Sequence, residues 1–148
     1  MDTVSPIERS RIMASVKSSG NKSTEVVLAT MLRKEHLSGW RRNYPLVGKP
    51  DFVFPAARLA IFVDGCFWHG CPKHCRMPAD NRKYWNQKIN RNVERDRGIN
   101  KQLHGKGWSV VRFWEHDLCG GQGLTRKMRR MKEIVQQGKC SVRGKPRR

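Results

Sequence analysis

The chain has 148 residues, which is long enough for one domain with a hydrophobic core. Its 31 lysines and arginines outnumber its 12 acidic residues, and the formal net charge of +19 favours a polyanionic partner, above all nucleic acid. No long apolar segment or lipidation signal indicates a membrane, and the first ten residues lack the apolar core of a signal peptide, so we expect a reducing cytoplasm. In that compartment the five cysteines are expected to be metal ligands or free thiols.

The N-terminal segment predicts a short basic helix. Ser5 is expected as its N-cap and Pro6 at its first helical position, with Glu8 completing a capping box. The helix is expected to continue to about Lys17, and Met13 is one of its few large apolar residues. A helix this polar is not expected in the core, and its sequence fits contact with DNA and a mobile arm equally well.

A second helix is predicted from about Ser23 to Leu37, and a polar break at Ser38 and Gly39 ends it. Its apolar stripe comprises Val27, Leu28, Met31 and Leu32. Glu25 lies in the first turn, where a carboxylate complements the helix dipole. Residues 40–44 follow as a candidate first strand.

Two short apolar runs, DFVF from position 51 and LAIFV from position 59, flank a four-residue turn and predict a β-hairpin. Antiparallel pairing of Phe54 with Leu59 would place Asp51 beside Val63 at the open end of this hairpin. Asp64 would lie at the same end. A carboxylate and a backbone carbonyl, completed by waters and substrate phosphates, suit Mg²⁺, so this end is a candidate magnesium site.

A loop rich in metal-type ligands follows the hairpin and offers four candidates, Cys66, Cys71, His74 and Cys75. Zn²⁺ takes four Cys or His ligands in a closed structural site. His116, just past a later strand, can complete such a site, and Cys119 is a weaker candidate. The favoured set is Cys66, Cys71, His74 and His116, with the choice between His74 and Cys75 open and a loop of reduced thiols as the alternative.

The same loop carries three further side chains with possible roles in chemistry. His69 can take a proton from water at neutral pH, although a further zinc ligand is equally compatible with its spacing. Phe67 and Trp68 are adjacent, and Trp85 follows on the next helix. Core packing is the ordinary role of such aromatics, and a wedge that enters a base step is the alternative in so basic a protein.

A long helix is predicted from about Lys83 to His104, with Asp96 in the middle of its apolar face. Burying an unpaired charge is costly, so Asp96 is expected either to pair with an arginine or to act on a catalytic group. A strand at 108–114 and a basic helix at 124–135 complete a predicted α/β or α+β domain over residues 1–135, with a small mixed sheet between helices. Residues 136–148 contain no acid and are expected to form a basic, disordered tail.

Four segments, KPDFVF, IFVDGCFWHGCPKHC, ERDR and GWSVVRFWEH, closely resemble the very-short-patch repair endonucleases, which are bacterial DNA mismatch nicking enzymes related to the PD-(D/E)xK nucleases. The resemblance covers about Ser5 to Leu118. It implies a restriction-endonuclease-like core and a Mg²⁺-dependent nick 5′ of the thymine in a T:G mismatch left by 5-methylcytosine deamination. It also implies a functional link to a cytosine methyltransferase and to mismatch-repair proteins in the bacterial cytoplasm, and we expect a monomer. The alternatives are a zinc-stabilised DNA-binding module without catalysis and a sequence-specific restriction endonuclease.

The resemblance also implies roles for single residues. Asp51 resembles the metal-binding aspartate of the PD motif, with the Val63 carbonyl on the same ion. His69 resembles the general base, and Asp96 the acid that orients it. Glu25 corresponds to the N-terminal helix glutamate of the nuclease core.

The loop aromatics, Phe67 and Trp68, together with Trp85 resemble residues that intercalate beside the mismatch, and Met13 resembles a residue that presses from the minor groove. Cys66, Cys71, His74 and His116 resemble the structural zinc ligands, with Cys75 in place of His74 as the open choice. Asp64 departs from some relatives, which have histidine there, so its role as a second metal carboxylate or as a support for the ion's waters stays open.

Overall fold

A computed structural model of the chain describes residues 22–143 together with residues 5, 7 and 8, and gives only the backbone for residues 22, 23 and 140–143. The helices and strands in chain order are α1 (Lys22–Lys34), β1 (Phe52–Phe54), β2 (Leu59–Asp64), α2 (Arg82–Gly105), β3 (Ser109–Trp114) and α3 (Gln122–Arg143). Short 3-10 turns at Pro55–Ala57 and Glu115–Cys119 follow β1 and β3. The predicted mixed α and β class is confirmed.

The sheet has the order β1-β2-β3, and its hairpin register is the predicted one, with Phe54 opposite Leu59. β3 pairs in parallel with β2, and α2 supplies the long crossover that a parallel pair requires. The prediction of a strand over residues 40–44 is wrong, because this segment contributes a single isolated bridge between Arg41 and Val53. The described sheet therefore has three strands.

Helices cover both faces of the sheet, because successive residues of a strand point to opposite sides. One core contains Leu59 and Ile61 of β2 with residues of α1 and α3, such as Leu28 and Met131. The other core contains Ala60, Phe62, Leu103 and Val110, so α2 covers the second face. Val27 of the predicted stripe on α1 is instead 38% exposed.

The chain ends differ from the sequence prediction where they are described. Helix α3 continues to Arg143, so eight residues expected in the disordered tail are helical. Gly138 packs so closely on the turn after β1 that an added Cβ would lie 2.5 Å from the Ala57 Cα. At the other end, the Glu8 amide donates to the Ser5 hydroxyl at 3.2 Å, as expected for a helix N-cap. Met13 and residues 144–148 lie outside the described residues.

Candidate active site and metal centre

The candidate site lies at one edge of the sheet, where three chain segments meet. Asp51 directly precedes β1, and Asp64 is the last residue of β2, so the antiparallel pairing brings both acids to the same end of the hairpin. The parallel register pairs Asp64 with Trp114, which places the turn after β3 at this edge as well. The loop after β2 carries His69 and the sulfur ligands to the same place.

Asp51 is fixed by a backbone group of the neighbouring strand. The Val63 amide donates to the Asp51 Oδ2 at 2.7 Å. Burial raises the pKa of Asp51, the charge of Asp64 adds to the effect, and the Val63 hydrogen bond and Arg42 only partly offset it. Among residues 24–139, whose side chains are described, no cationic side chain forms an ion pair with Asp51, so a bound cation is the partner that would favour its ionised form.

His69 and Asp96 form a close pair between the loop and helix α2. The His69 Nδ1 lies 2.5 Å from the Asp96 Oδ2, and their side chains are only 11% and 15% exposed. Burial alone would raise the pKa of Asp96, but the hydrogen bond with His69 and the charge of Arg112 outweigh it and hold the pKa below its usual value. An ionised Asp96 that accepts the Nδ1 hydrogen leaves the His69 Nε2 as the proton acceptor.

Arg112, which was not expected from the sequence, connects Asp64 and Asp96. Its Nη1 lies 2.8 and 2.9 Å from the two oxygens of Asp64, and its Nη2 lies 3.7 Å from the Asp96 Oδ1. Asp64 is therefore a buried partner of an arginine. A signal for this pair was present in the sequence: alternation in β3 places Arg112 on the side facing α2, and an inward arginine needs a carboxylate.

Glu25 is also bound to an arginine that the sequence analysis missed. Its carboxylate, which is buried, forms an ion pair with Arg42. Arg42 also lies over the ring of Phe52, 5.5 Å from its centroid, and its charge acts on Asp51. The first turn of α1 therefore reaches the same edge of the sheet through Arg42.

Four side chains form a group that can hold one metal ion, because their ligand atoms all lie within 4.8 Å of one another: Cys66, Cys71, His74 and His116. The His116 Nδ1 lies 3.2 Å from the Cys66 Sγ and 3.6 Å from the Cys71 Sγ. Burial raises the pKa of the Cys66 thiol, and Cys71 adds to the effect, so a cation is needed to favour the thiolates. Cys75 lies outside the group, with its Sγ 3.6 Å from the Phe67 carbonyl oxygen.

Asp117, a third residue not expected from the sequence, supports this group from outside. The Asp117 Oδ1 lies 3.7 Å from the His116 Nε2, on the opposite side of the ring from the sulfurs. The carboxylate is buried, accepts the Trp114 amide hydrogen at 2.8 Å and pairs with the Lys127 ammonium. A carboxylate on the second ring nitrogen is the arrangement that orients a metal-binding histidine.

The three predicted aromatics come together beside the loop. Ring centroids of Phe67 and Trp68 lie 5.2 Å apart, and both lie within 6.2 Å of Trp85. Trp85 is only 4% exposed, whereas the two loop aromatics are partly exposed. The Lys88 ammonium lies over Trp68 at 5.1 Å, and Tyr84, a further aromatic missed from the sequence, is 56% exposed beside Trp85.

The loop is held tightly on helix α2. Gly70 has a positive φ of 65°, and an added Cβ would lie 3.1 Å from side-chain carbons of Ile89 and Val93. The side-chain amide nitrogen of Asn92 donates to the Trp68 backbone carbonyl at 3.0 Å. The backbone on both sides of His69 is therefore fixed on the helix that carries Asp96.

The model of one protein family, the DNA mismatch endonuclease Vsr, matches residues 1–77, which is just over half of the chain. The chain belongs to the Vsr family of DNA mismatch endonucleases. It is 43% identical over 115 residues to the type II nicking enzyme V.NaeI of Lentzea aerocolonigenes, covering 74% of this chain and 68% of that protein. It is 39% identical over 120 residues to V.NmeDIP, a type II nicking enzyme of Neisseria meningitidis serogroup C, covering 80% of each.

The DNA mismatch endonuclease Vsr of Escherichia coli K12 is 41% identical over 101 residues, covering 66% of this chain and 64% of that protein. Family membership confirms the resemblance seen in the sequence, and this Vsr-family chain is a DNA endonuclease. Its excess of cationic residues suits that substrate. Helix α2 carries six of them exposed, Arg82, Lys83, Arg91, Arg95, Arg97 and Lys101. No helix within residues 22–143 is long and apolar enough to cross a membrane.

Proposed function

We propose that this Vsr-family endonuclease nicks one DNA strand on the 5′ side of the thymine in a T:G mismatch that arises when 5-methylcytosine deaminates. The observation that carries the proposal is the meeting, at one edge of the sheet, of Asp51 and the His69–Asp96 pair beside partly exposed aromatics. A DNA-binding module would need the cationic surface and the aromatics but not this acid and base arrangement. The α-β-β-α-β order is consistent with a restriction-endonuclease-like core.

In the proposed reaction, His69 accepts a proton from the attacking water at Nε2 while Asp96 holds the Nδ1 hydrogen. The Asp51 carboxylate and the Val63 carbonyl would hold Mg²⁺, which fits a partly buried acid that forms no ion pair with the cationic side chains of residues 24–139. Bound Mg²⁺ would stabilise the negative charge that develops on the phosphate. Glu25 would act through Arg42, which it fixes near this edge.

We propose that the group of two cysteines and two histidines binds Zn²⁺ in a structural role. Two thiolates and two imidazoles match the ligand number and type of a closed zinc site. His116 follows β3 and the other ligands follow β2, so the bound metal would connect the ends of two parallel strands. Cys75 stays outside this proposed ligand set.

For the mismatch, we propose that Phe67 and Trp68 enter the base stack while the buried Trp85 supports them. A wedge costs least where base pairing is already weak, and this favours a mismatch over paired DNA. Met13, outside the described residues, is proposed to press from the minor groove. We propose that the nicked product passes to mismatch-repair proteins. Because the mismatch arises from 5-methylcytosine, we also propose a functional link to a cytosine methyltransferase. The enzyme is proposed to act as a monomer in the bacterial cytoplasm.

The test is cleavage of a duplex with a different label on each strand and one T:G mismatch, compared with a matched T:A duplex. We expect a Mg²⁺-dependent nick in the thymine strand, no cut in the matched duplex, and no product in EDTA. Asp51→Ala should abolish the nick and leave mismatch binding, and Asp80→Ala, which changes an exposed acid, should retain it. A double-strand cut in matched DNA would indicate a restriction endonuclease, and binding without any cut would indicate a non-catalytic module.

A further inference from the structure

Two carboxylates lie within reach of the same nitrogen of His69. The His69 Nδ1 is 2.5 Å from the Asp96 Oδ2 and 3.6 Å from the Asp64 Oδ1. A neutral imidazole with its proton on Nδ1 has one hydrogen to donate there, so only one carboxylate can accept it fully. Asp96 is on α2 and Asp64 ends β2, so the choice of acceptor sets the rotation of the ring.

Arg112 binds Asp64, the carboxylate that competes with Asp96 for the His69 hydrogen. Its Nη1 lies within 2.9 Å of both Asp64 oxygens, and its Nε donates to the Asn100 Oδ1 at 3.0 Å. The guanidinium also lies on the Phe62 ring, 4.2 Å from the centroid, so three contacts fix its plane. With both Asp64 oxygens engaged in this way, Asp96 is the acceptor that remains for His69.

The second guanidinium nitrogen is directed toward the other acid. The Arg112 Nη2 is buried, lies 3.7 Å from the Asp96 Oδ1, and has no hydrogen-bond partner within the described residues. A movement of less than about 1 Å would complete a hydrogen bond to Asp96. One guanidinium therefore lies between both acids, and the flat, forked shape of arginine suits this task better than the single ammonium of lysine.

We propose that Arg112 is a positioning residue of this endonuclease, which engages Asp64 so that Asp96 alone accepts the His69 hydrogen and sets the direction of the His69 Nε2. The inference rests on the proposed role of His69 as the base. A misplaced base can lower a rate by about a hundredfold while substrate affinity stays the same. The role of Asp64 follows as well: it is a neutralised neighbour of the base that would compete with Asp96 if Arg112 were absent.

The test is a double-mutant comparison of Arg112→Met, Asp64→Asn and the combined variant. Single-turnover nicking of the T:G duplex gives the rate, and a gel shift without Mg²⁺ gives the affinity. We expect Arg112→Met to lower the rate about tenfold to a hundredfold with unchanged affinity, and Asp64→Asn to lower it less. The combined variant should be faster than Arg112→Met, because the competing carboxylate is gone. Arg33→Met, an exposed arginine on α1, is the control and should nick at the wild-type rate.

A purely structural role for Arg112 predicts instead that nicking rate and DNA affinity fall together and follow the melting temperature of each variant, because removal of one member of a buried ion pair leaves an unpaired charge that destabilises the fold. That outcome would exclude a positioning role. A combined variant no faster than Arg112→Met, or an Arg112→Met variant with the wild-type rate, would overturn the inference. If thermal unfolding shows that Arg112→Met does not fold, Arg112→Lys with and without Asp64→Asn is judged by the same criterion. Failure of the wild-type protein to nick the T:G duplex would instead refute the proposed function.

Discussion

Replacement of Asp96 by asparagine tests whether this acid orients the base. The change removes the charge that faces the His69 Nδ1 at 2.5 Å and keeps the size of the side chain. A hydrogen bond to a charged group contributes about 1.5–3 kcal/mol. Because 1.36 kcal/mol corresponds to a tenfold rate, loss of that contribution should slow nicking by about 10-fold to 150-fold. Both side chains are at least 85% shielded from water, so the upper part of this range is expected.

The assay is single-turnover nicking with enzyme in excess over the T:G duplex, together with a gel shift for affinity. The matched control is Glu94→Gln, which removes the same charge from an exposed position two residues earlier on α2. We expect Glu94→Gln to nick within about twofold of the wild-type rate, as is usual for an exposed site. An Asp96→Asn enzyme that nicks at the wild-type rate, or that fails only in DNA binding, would refute the role given to Asp96.

Four further predictions follow from other parts of the site. Cys66→Ser should lose bound zinc, measured by elemental analysis, and unfold at lower temperature, whereas Cys119→Ser, an exposed cysteine outside the group, should keep both properties; equal zinc in the two variants would contradict the ligand set. Trp68→Ala should weaken binding of the T:G duplex about 5-fold to 150-fold, from a stacking contribution of about 1–3 kcal/mol, and leave matched DNA unaffected; equal weakening on both duplexes would show a general DNA contact. Asp51→Asn should raise the melting temperature in EDTA at neutral pH, because burial raises the pKa of Asp51 and its ionised form therefore destabilises the fold. The gain in melting temperature should shrink as the pH falls through that raised pKa. A lower melting temperature for Asp51→Asn than for wild type would contradict this reasoning. Burial would raise the pKa of Asp117, but Lys127 and the Trp114 amide hold it below the usual value of an aspartate. The contribution of Asp117 to stability should therefore be lost as the pH falls below the pKa of an ordinary aspartate, through its own lowered pKa. The melting temperature of Asp117→Asn should accordingly change less with pH in acid than that of the wild type.

The hairpin and the crossover were predictable because each depends on local apolar patterns. The runs at 51–54 and 59–63 contain β-branched and aromatic residues on both sides of a proline turn, and their register follows from the length of that turn. A mixed sheet could be predicted because the α2 pattern lies between two strand patterns, whereas the parallel pairing of β3 with β2 came only from the structure. Asp96 was identified as unusual because a charge on an apolar face is rare.

The predictions from sequence were wrong where side chains form contacts between distant parts of the chain. The segment 40–44 looked like a strand because of its aromatics, but Trp40 packs edge-on against Phe52 at 5.3 Å and Tyr44 lies 6.1 Å from Trp108. Both rings take part in tertiary packing. Aromatic residues raise the strand propensity of a segment whether they pack in this way or lie in a paired strand, so the propensity does not separate the two cases. Likewise, the basic, acid-free composition after residue 135 suggested a disordered tail, yet the helix continues to Arg143, and Gly138 in this part packs closely on Ala57.

The arginine partners could not be assigned from sequence. Arg112 lies 48 residues from Asp64, and several acids were available to it in the one-dimensional chain. Alternation in β3 indicates that Arg112 needs an acid on the side of the sheet that faces α2, but which acid lies there depends on how β2 and α2 pack together. The same holds for Asp117 and His116, which are adjacent in sequence but have roles set by the loop that meets them.

Cys66 and Cys71 enclose the four residues 67–70, which carry the base and both aromatics of the proposed wedge. A metal held at both ends of so short a segment would fix its backbone from the ends, while Gly70 fixes it on α2. The side chains at positions 67 and 68 would then contribute little to the shape of the segment. Evolution could exchange them to change which DNA is recognised, and laboratory selection could do the same, with His69 left in place.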